Sequence, residues 1–115
     1  MAACGIDLIL NTEVSGTTST QVGSARILTG SNSHAGFRAM FGCDTAATGA
    51  LEVKRFTGGT SITELTSSGV GIHDISASGQ TIAALGMVDD WYDFYASGSS
   101  ASGSVLIKGI KVTLY

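Results

Sequence analysis

Apolar and polar residues alternate along most of the chain, and turn-forming residues interrupt the alternation roughly every 8 to 14 positions. A period of two places successive side chains on opposite faces of an extended backbone, so this pattern predicts short strands with one buried face. Ile6, Leu8 and Leu10 alternate with Asp7 and Ile9 and predict a first strand, and the polar stretch 11–20 reads as a loop. Val22 to Leu28 read as a second strand, with Arg26 turned away from its apolar side, and 29–34 as a turn. Phe37, Ala39 and Phe41 share one face of a third strand, Arg38 and Met40 the other, and 42–49 connect it to the next. Leu51, Val53 and Arg55 then alternate with Glu52, Lys54 and Phe56. Thr57-Gly58-Gly59-Thr60 is a hairpin signal, because paired glycines supply the positive φ angles of a tight turn.

The return strand is Ser61 to Thr66, and 67–69 turn the chain again. Val70, Ile72 and Ile75 suggest the next strand, with Ser76 to Gln80 as a loop and Thr81 to Val88 as a further apolar segment. An aromatic run, Trp91 to Tyr95, precedes a tip of small residues at 97–104. The last strand runs from Val105 to Tyr115, with Leu106, Ile110, Val112 and Leu114 on one face and Val105, Ile107, Gly109, Lys111, Thr113 and Tyr115 on the other. Eight or nine short strands with hairpin spacing and no convincing helix predict an all-β fold, a single antiparallel sandwich over residues 1–115. Jelly-roll-like and Ig-like connections both fit, and a closed barrel is the competing architecture.

Composition narrows the class. Of the 115 residues, 16 are Gly, 15 Ser and 13 Thr; none is Pro, and only 13% are charged. An apolar fraction of 43% argues against a disordered chain. No apolar run approaches the roughly 18 to 20 residues that span a bilayer, so no membrane partner is expected. Scarce Glu, Lys, Arg, Gln and Met argue against a helical bundle. A chain of 11.6 kDa should expose about 5,800 Å² when folded and about 16,800 Å² when unfolded. That suffices for one two-layer core, thin and rich in glycine, which oligomerisation or docking would stabilise. The missing proline leaves edge strands without one common block to pairing.

Charge adds little. Nine acids stand against six bases, and no basic footprint for nucleic acid is visible. Residues 64–104 hold Glu64, Asp74, Asp89, Asp90 and Asp93 and no base, which predicts one acidic part of the molecule, either a solubilising face or a contact for a basic partner or cation. Cys4 and Cys43 lack zinc-ligand spacing. They read as free thiols in a reducing cytoplasm, or as a bridge if maturation is extracellular. The start Met1-Ala-Ala-Cys carries neither the basic region nor the apolar stretch of a secretory or lipoprotein signal.

Candidate chemistry concentrates at 89–95. Asp89, Asp90 and Asp93 form the one carboxylate cluster and are a weak calcium candidate, since hard cations take carboxylate and carbonyl oxygens; DxDxDG spacing is absent, and a solvated strand end is the other reading. No other metal and no cofactor is implied. Trp91, Tyr92, Phe94 and Tyr95 are half of the aromatics. Alternation sends either Tyr92 and Phe94 or Trp91 and Tyr95 inward, leaving the others for a protein contact or a sugar platform in which Asp89 or Asp90 accepts from hydroxyls. His73 and Asp74 are strand neighbours on opposite faces, so they do not form a base and its orienter. GxSxG, HExxH, CxxC, GxGxxG and the phosphate-loop pattern are all missing, and no enzyme is expected.

The runs LEVKRFTGGTSITELTSSG (51–69), DDWYDFYASG (89–98) and SVLIKGIKVTLY (104–115) resemble small β-sandwich virion proteins of tailed phages, the capsid decoration (cement) proteins and tail-fibre modules. The resemblance lies within the last 65 residues or so and implies a structural protein of the virion, assembled in the host cytoplasm. Its partners would be the major capsid protein or another virion protein, together with copies of itself. The expected contacts are segment 1–20 with Ile6, Leu8 and Leu10, as an arm or a donated strand, and the region Asp89, Asp90, Trp91, Tyr92 and Tyr95. A carbohydrate-binding module and a filament or tail-fibre subunit are the alternative functions.

Overall fold

The alternation is realised as eight strands in a computed structural model that describes residues 4–44, 48–67, 70–99 and 103–115. They are β1 (Cys4–Ser15), β2 (Thr20–Ile27), β3 (His34–Cys43), β4 (Gly49–Arg55), β5 (Ser61–Thr66), β6 (Gly71–Thr81), β7 (Asp90–Gly98) and β8 (Ser104–Leu114), with one helical turn, α1 (Ile82–Leu85), before β7. Two four-stranded sheets form, in the orders β1-β8-β3-β6 and β2-β7-β4-β5, and every pairing is antiparallel. The pairs β4–β5, β3–β6, β2–β7 and β1–β8 are those of one long hairpin rolled around itself, with its tip at the Gly58-Gly59 turn. That wrapping is a jelly roll, and it decides between the two connection schemes the sequence allowed. Gly58 and Gly59 have φ of 81° and 66°, as the turn requires.

The core lies between the sheets. Phe37, Ala39 and Phe41 of β3, Leu51 and Val53 of β4, and Tyr92, Phe94 and Ala96 of β7 all point into it. Tyr92 carries a hydroxyl into this apolar layer, and that hydroxyl donates to the Val88 carbonyl (2.6 Å) and accepts from the Val88 N–H (2.9 Å). Paired this way, a buried phenol costs no unmatched polar group. The total accessible surface, 5758 Å², is what the mass alone led one to expect.

Several elements differ from the sequence reading. β1 continues through the supposed polar loop to Ser15, pairing with β8 on both sides of a register shift between Ile9 and Thr12, where Asn11 takes φ 46°. β6 likewise runs on through 76–80, where a loop was expected, and its half-buried inward side is His73, Ile75 and Ala77, while Ile72 and Val70 face solvent. The apolar segment 81–88 is a plug. Thr81 Oγ1 caps α1 by accepting from the Ala84 N–H (3.1 Å), Gly86 ends it in the left-handed region, and Ile82 and Met87 enter the core.

β8 contains the largest departure. Met40 pairs with Gly109 and Phe41 with Ile107, so β8 carries one residue more than β3 at this point. The bulge moves the buried side from Leu114, Val112 and Ile110 to Ile107 and Val105, and Leu106 leaves the face it was assigned to. Cys43 is a free, buried thiol 3.5 Å from Ser67 Oγ. Parts of the expected connection 42–49 (45–47), turn 67–69 (68–69) and tip 97–104 (100–102) lie outside the described residues.

One end of the sandwich is tied by glycine backbone. The Gly16 N–H donates to the Gly103 carbonyl (2.9 Å) and the Gly98 N–H to the Gly16 carbonyl (2.9 Å), joining the β1–β2 loop, the end of β7 and the approach to β8. A Cβ on Gly98 would stand 3.0 Å from Gly16 O.

Gly109 is tighter still, since a Cβ there would meet the Leu8 carbonyl oxygen at 2.7 Å. Gly109→Ala is therefore expected to push β1 from β8 and destabilise the fold by about 1–3 kcal/mol. Gly42→Ala, whose nearest new contact is Gly71 O at 3.9 Å, should leave the urea midpoint near that of the parent.

Candidate functional site

Alternation on β7 settles the aromatic run. With Tyr92 and Phe94 inward, Trp91, Asp93 and Tyr95 lie on the outer face of the sheet β2-β7-β4-β5. Tyr92 is thus a core residue, and its expected role as a partner contact does not survive its burial. Trp91 is 49% exposed. The Tyr95 ring is covered, because Lys54 Nζ sits 4.9 Å from its centroid, with Glu52 3.5 Å from the same ammonium.

The three aspartates separate. Asp89 Oδ1 accepts from the Thr29 N–H (2.8 Å) and hydroxyl (2.9 Å), which holds the β2–β3 turn and lowers its pKa, with Arg26 assisting. Asp90 is 8% exposed; its Oδ2 accepts from the Thr57 N–H (3.3 Å) and its Oδ1 from the Trp91 N–H (2.7 Å). Its pKa is lowered by Thr57 first, then by Trp91 and by Arg55. Asp90 therefore clasps the tip hairpin, and its placement among the partner contacts is corrected. Asp93 Oδ1 accepts from Gln21 Nε2 (3.2 Å) on β2. Among the described residues no group of three His, Cys, Asp or Glu side chains is arranged to hold a metal ion. The predicted acidic part is likewise divided. Asp74 belongs to the other sheet, where Arg38 grips it from Nε (2.8 Å) and Nη2; this hydrogen-bonded pair lowers the Asp74 pKa and raises that of Arg38.

Ile6, Leu8 and Leu10 are partly buried. They lie on the inward side of β1 and pack against the core, so the strand expected as a contact arm is part of its own sheet. The large apolar residue that β1 leaves in solvent is Ile9, 91% exposed.

Two outer faces emerge. On the sheet β1-β8-β3-β6, Ile9, Gly109, Met40 and Asp74 form one cross-strand row, and Glu13, Leu106, Gly42 and Ile72 form another. Ile72 is 90% exposed. Gly109 floors a depression of about 470 Å³ whose sides include Ile9 and Met40 together with Asp7, Arg38, Lys108 and Lys111. On the opposite sheet, Trp91 and Phe56 (67% exposed) line an open cleft of about 320 Å³ with Ser24 and Asp93. Phe56 was missed as a site residue. Its signal was its position, an aromatic on the polar side of the β4 alternation.

The rolled hairpin defines the class, a jelly-roll β-sandwich of the kind found in viral capsid domains and carbohydrate-binding modules. No protein-family profile matches the chain, and no curated protein matches it in sequence. Among solved structures it is similar to VP2 of infectious bursal disease virus in a subviral particle, with TM-score 0.65 and 9% identity over 97% of this chain and 32% of that one. It is similar as well to the module TmCBM61 in complex with β-1,4-galactotriose (TM-score 0.55, 10% identity, 94% and 68% of the two chains). A third is a module of lichenase 5A from Cellvibrio mixtus in complex with cellotriose (TM-score 0.53, 8% identity, 86% and 72%). The chain spans about a third of the length of the VP2 chain. At these identities the likeness concerns the fold.

Asp74, Asp89 and Asp90 all have lowered pKa values, so their contribution to stability is present above the unfolded value of about 3.9 and is lost as pH falls through the lower folded values. The melting temperature should stay level from neutral pH to about pH 5 and drop below about pH 4. Asp89→Asn combined with Asp90→Asn should start lower at neutral pH and fall less steeply, which circular dichroism melts across this range will measure.

Proposed function

We propose that the chain is a non-catalytic structural protein of a virus particle, binding neighbouring virion subunits through the outer face of β1-β8-β3-β6. The exposure of Ile9 and Ile72 on that face, with Met40 between their strands, carries this reading. Ile9, Met40 and Ile72 spread exposed apolar surface across this sheet from one edge to the other, and we read it as surface that another protein covers. Asp7, Arg38, Lys108 and Lys111 frame the patch with both signs of charge, which sets orientation more than affinity. The partner is a capsid subunit, with further copies of this chain around it. The role is that of a cement protein of a tailed phage, located on the virion after assembly in the host cytoplasm. The jelly roll shared with a viral capsid chain and the resemblance of residues 51–115 to phage decoration proteins support it. Its mechanism is mechanical: a bound copy bridges neighbouring capsomers and opposes outward pressure from the genome.

Gold-labelled antibody against the purified protein should decorate intact particles from the source culture, and particles without label would refute the reading. Ile9→Asp with Ile72→Asp should keep the thermal midpoint within a few degrees, because both side chains already face water, while binding to particles stripped of the protein is lost. Undiminished binding by that variant would move the contact to another face.

A further inference from the structure

The opposite face has a different chemistry. Its apolar groups are aromatic, and they stand beside polar side chains. Trp91 leaves β7 near its start, and Phe56 follows β4 at the tip hairpin; the Phe56 N–H donates to the Trp91 carbonyl (2.9 Å), which fixes the two residues side by side. Between and beside them lie Asp93, two residues further along the same face of β7, and Ser24, its register partner on β2. Gln21 holds the Asp93 carboxylate from the neighbouring strand. Arg26, exposed and paired with Trp91 in the register, leaves β2 on the same outer face.

We propose that this cleft binds an uncharged oligosaccharide, with Trp91 and Phe56 as the stacking surface and Asp93 and Ser24 as hydrogen-bonding groups. A sugar ring presents an apolar C–H face and a fringe of hydroxyls, and the cleft presents aromatic rings beside a carboxylate and a hydroxyl. The carboxylate inside the cleft disfavours phosphates and acidic sugars. Its volume, about 320 Å³, suits one or two sugar rings. The aromatics differ in this from Ile9 and Ile72, which offer area without any directed polar partner. Tyr95 does not extend the platform, because Lys54 occupies its ring. The position is also displaced from the reading in which Asp89 or Asp90 accepts from sugar hydroxyls: Asp90 is buried on the Thr57 and Trp91 N–H groups, and Asp89 Oδ1 holds Thr29.

Trp91 is the chain's single tryptophan, so its fluorescence reports this cleft alone. The intact protein is titrated with cellotriose, xylotriose and β-1,4-galactotriose, and screened in parallel on an array of neutral and acidic glycans. A saturable change in emission with a neutral glycan is expected. Phe56→Ala and Asp93→Ala should each weaken it by about tenfold or more, equivalent to about 1.4 kcal/mol. Ile9→Asp with Ile72→Asp should bind glycan like the parent, so failure on particles and failure on glycans remain separable. Calorimetry with Trp91→Phe, which keeps a ring, against Trp91→Ala, which removes it, should show partial rescue. Silence on all three trisaccharides and on the array overturns the proposal. So does binding that Phe56→Ala leaves unchanged, or a preference for acidic glycans.

Discussion

The inward stripe of β7 is the contact on which the rest of this sandwich depends. Tyr92, Phe94 and Ala96 are sealed in the core between the sheets, where β7 lies across from β8 and β1. Each large side chain so buried contributes roughly 1.5–3 kcal/mol. The stripe also allots the exterior, because in an extended strand whatever is not inward must be outward. Once Tyr92 and Phe94 are in the core, Trp91 and Asp93 are delivered to solvent at a fixed spacing on a central strand. The cleft is in that sense a by-product of core packing.

The parts of the fold that were legible are those in which the period of two is uninterrupted. The β4–β5 hairpin could be read to the residue at Ser61–Thr66, since Leu51 and Val53 alternate cleanly and two glycines mark the turn. Phe37, Ala39 and Phe41 were equally plain. The reading failed where one residue is inserted. At the Lys108–Gly109 bulge the count goes out of step, and Leu106 was assigned to the wrong face because nothing in a period-two pattern announces the slip. It failed again at 76–80, where a Ser- and Gly-rich edge strand has the composition of a loop because so little of it is buried. The site was half legible. The aromatic run was visible, but which half faces water depends on where β7 begins, and Phe56 reaches the cleft through a tertiary pairing no local pattern encodes. Ile6, Leu8 and Leu10 drew attention by being apolar, although apolarity at alternate positions is the mark of the side turned away from a partner.

The two outer faces divide contact chemistry between them. One is aliphatic, floored by glycine and edged with mixed charge; the other is aromatic and polar. A thin two-layer sandwich puts these faces on opposite sides, so occupation of one does not obstruct the other. A protein fixed to a surface by its aliphatic side would present its aromatic side outward.

The glycine tie at Gly16, Gly98 and Gly103 has a consequence for how such a chain can vary. The bonds that hold this end of the two layers together run between main-chain groups, so their strength does not depend on which side chains surround them. Mutational drift over the neighbouring surface leaves the tie intact, whereas any residue larger than glycine at 98 crowds it. A lineage of such proteins can exchange nearly its whole exterior, following a changing partner or ligand, and keep the same roll.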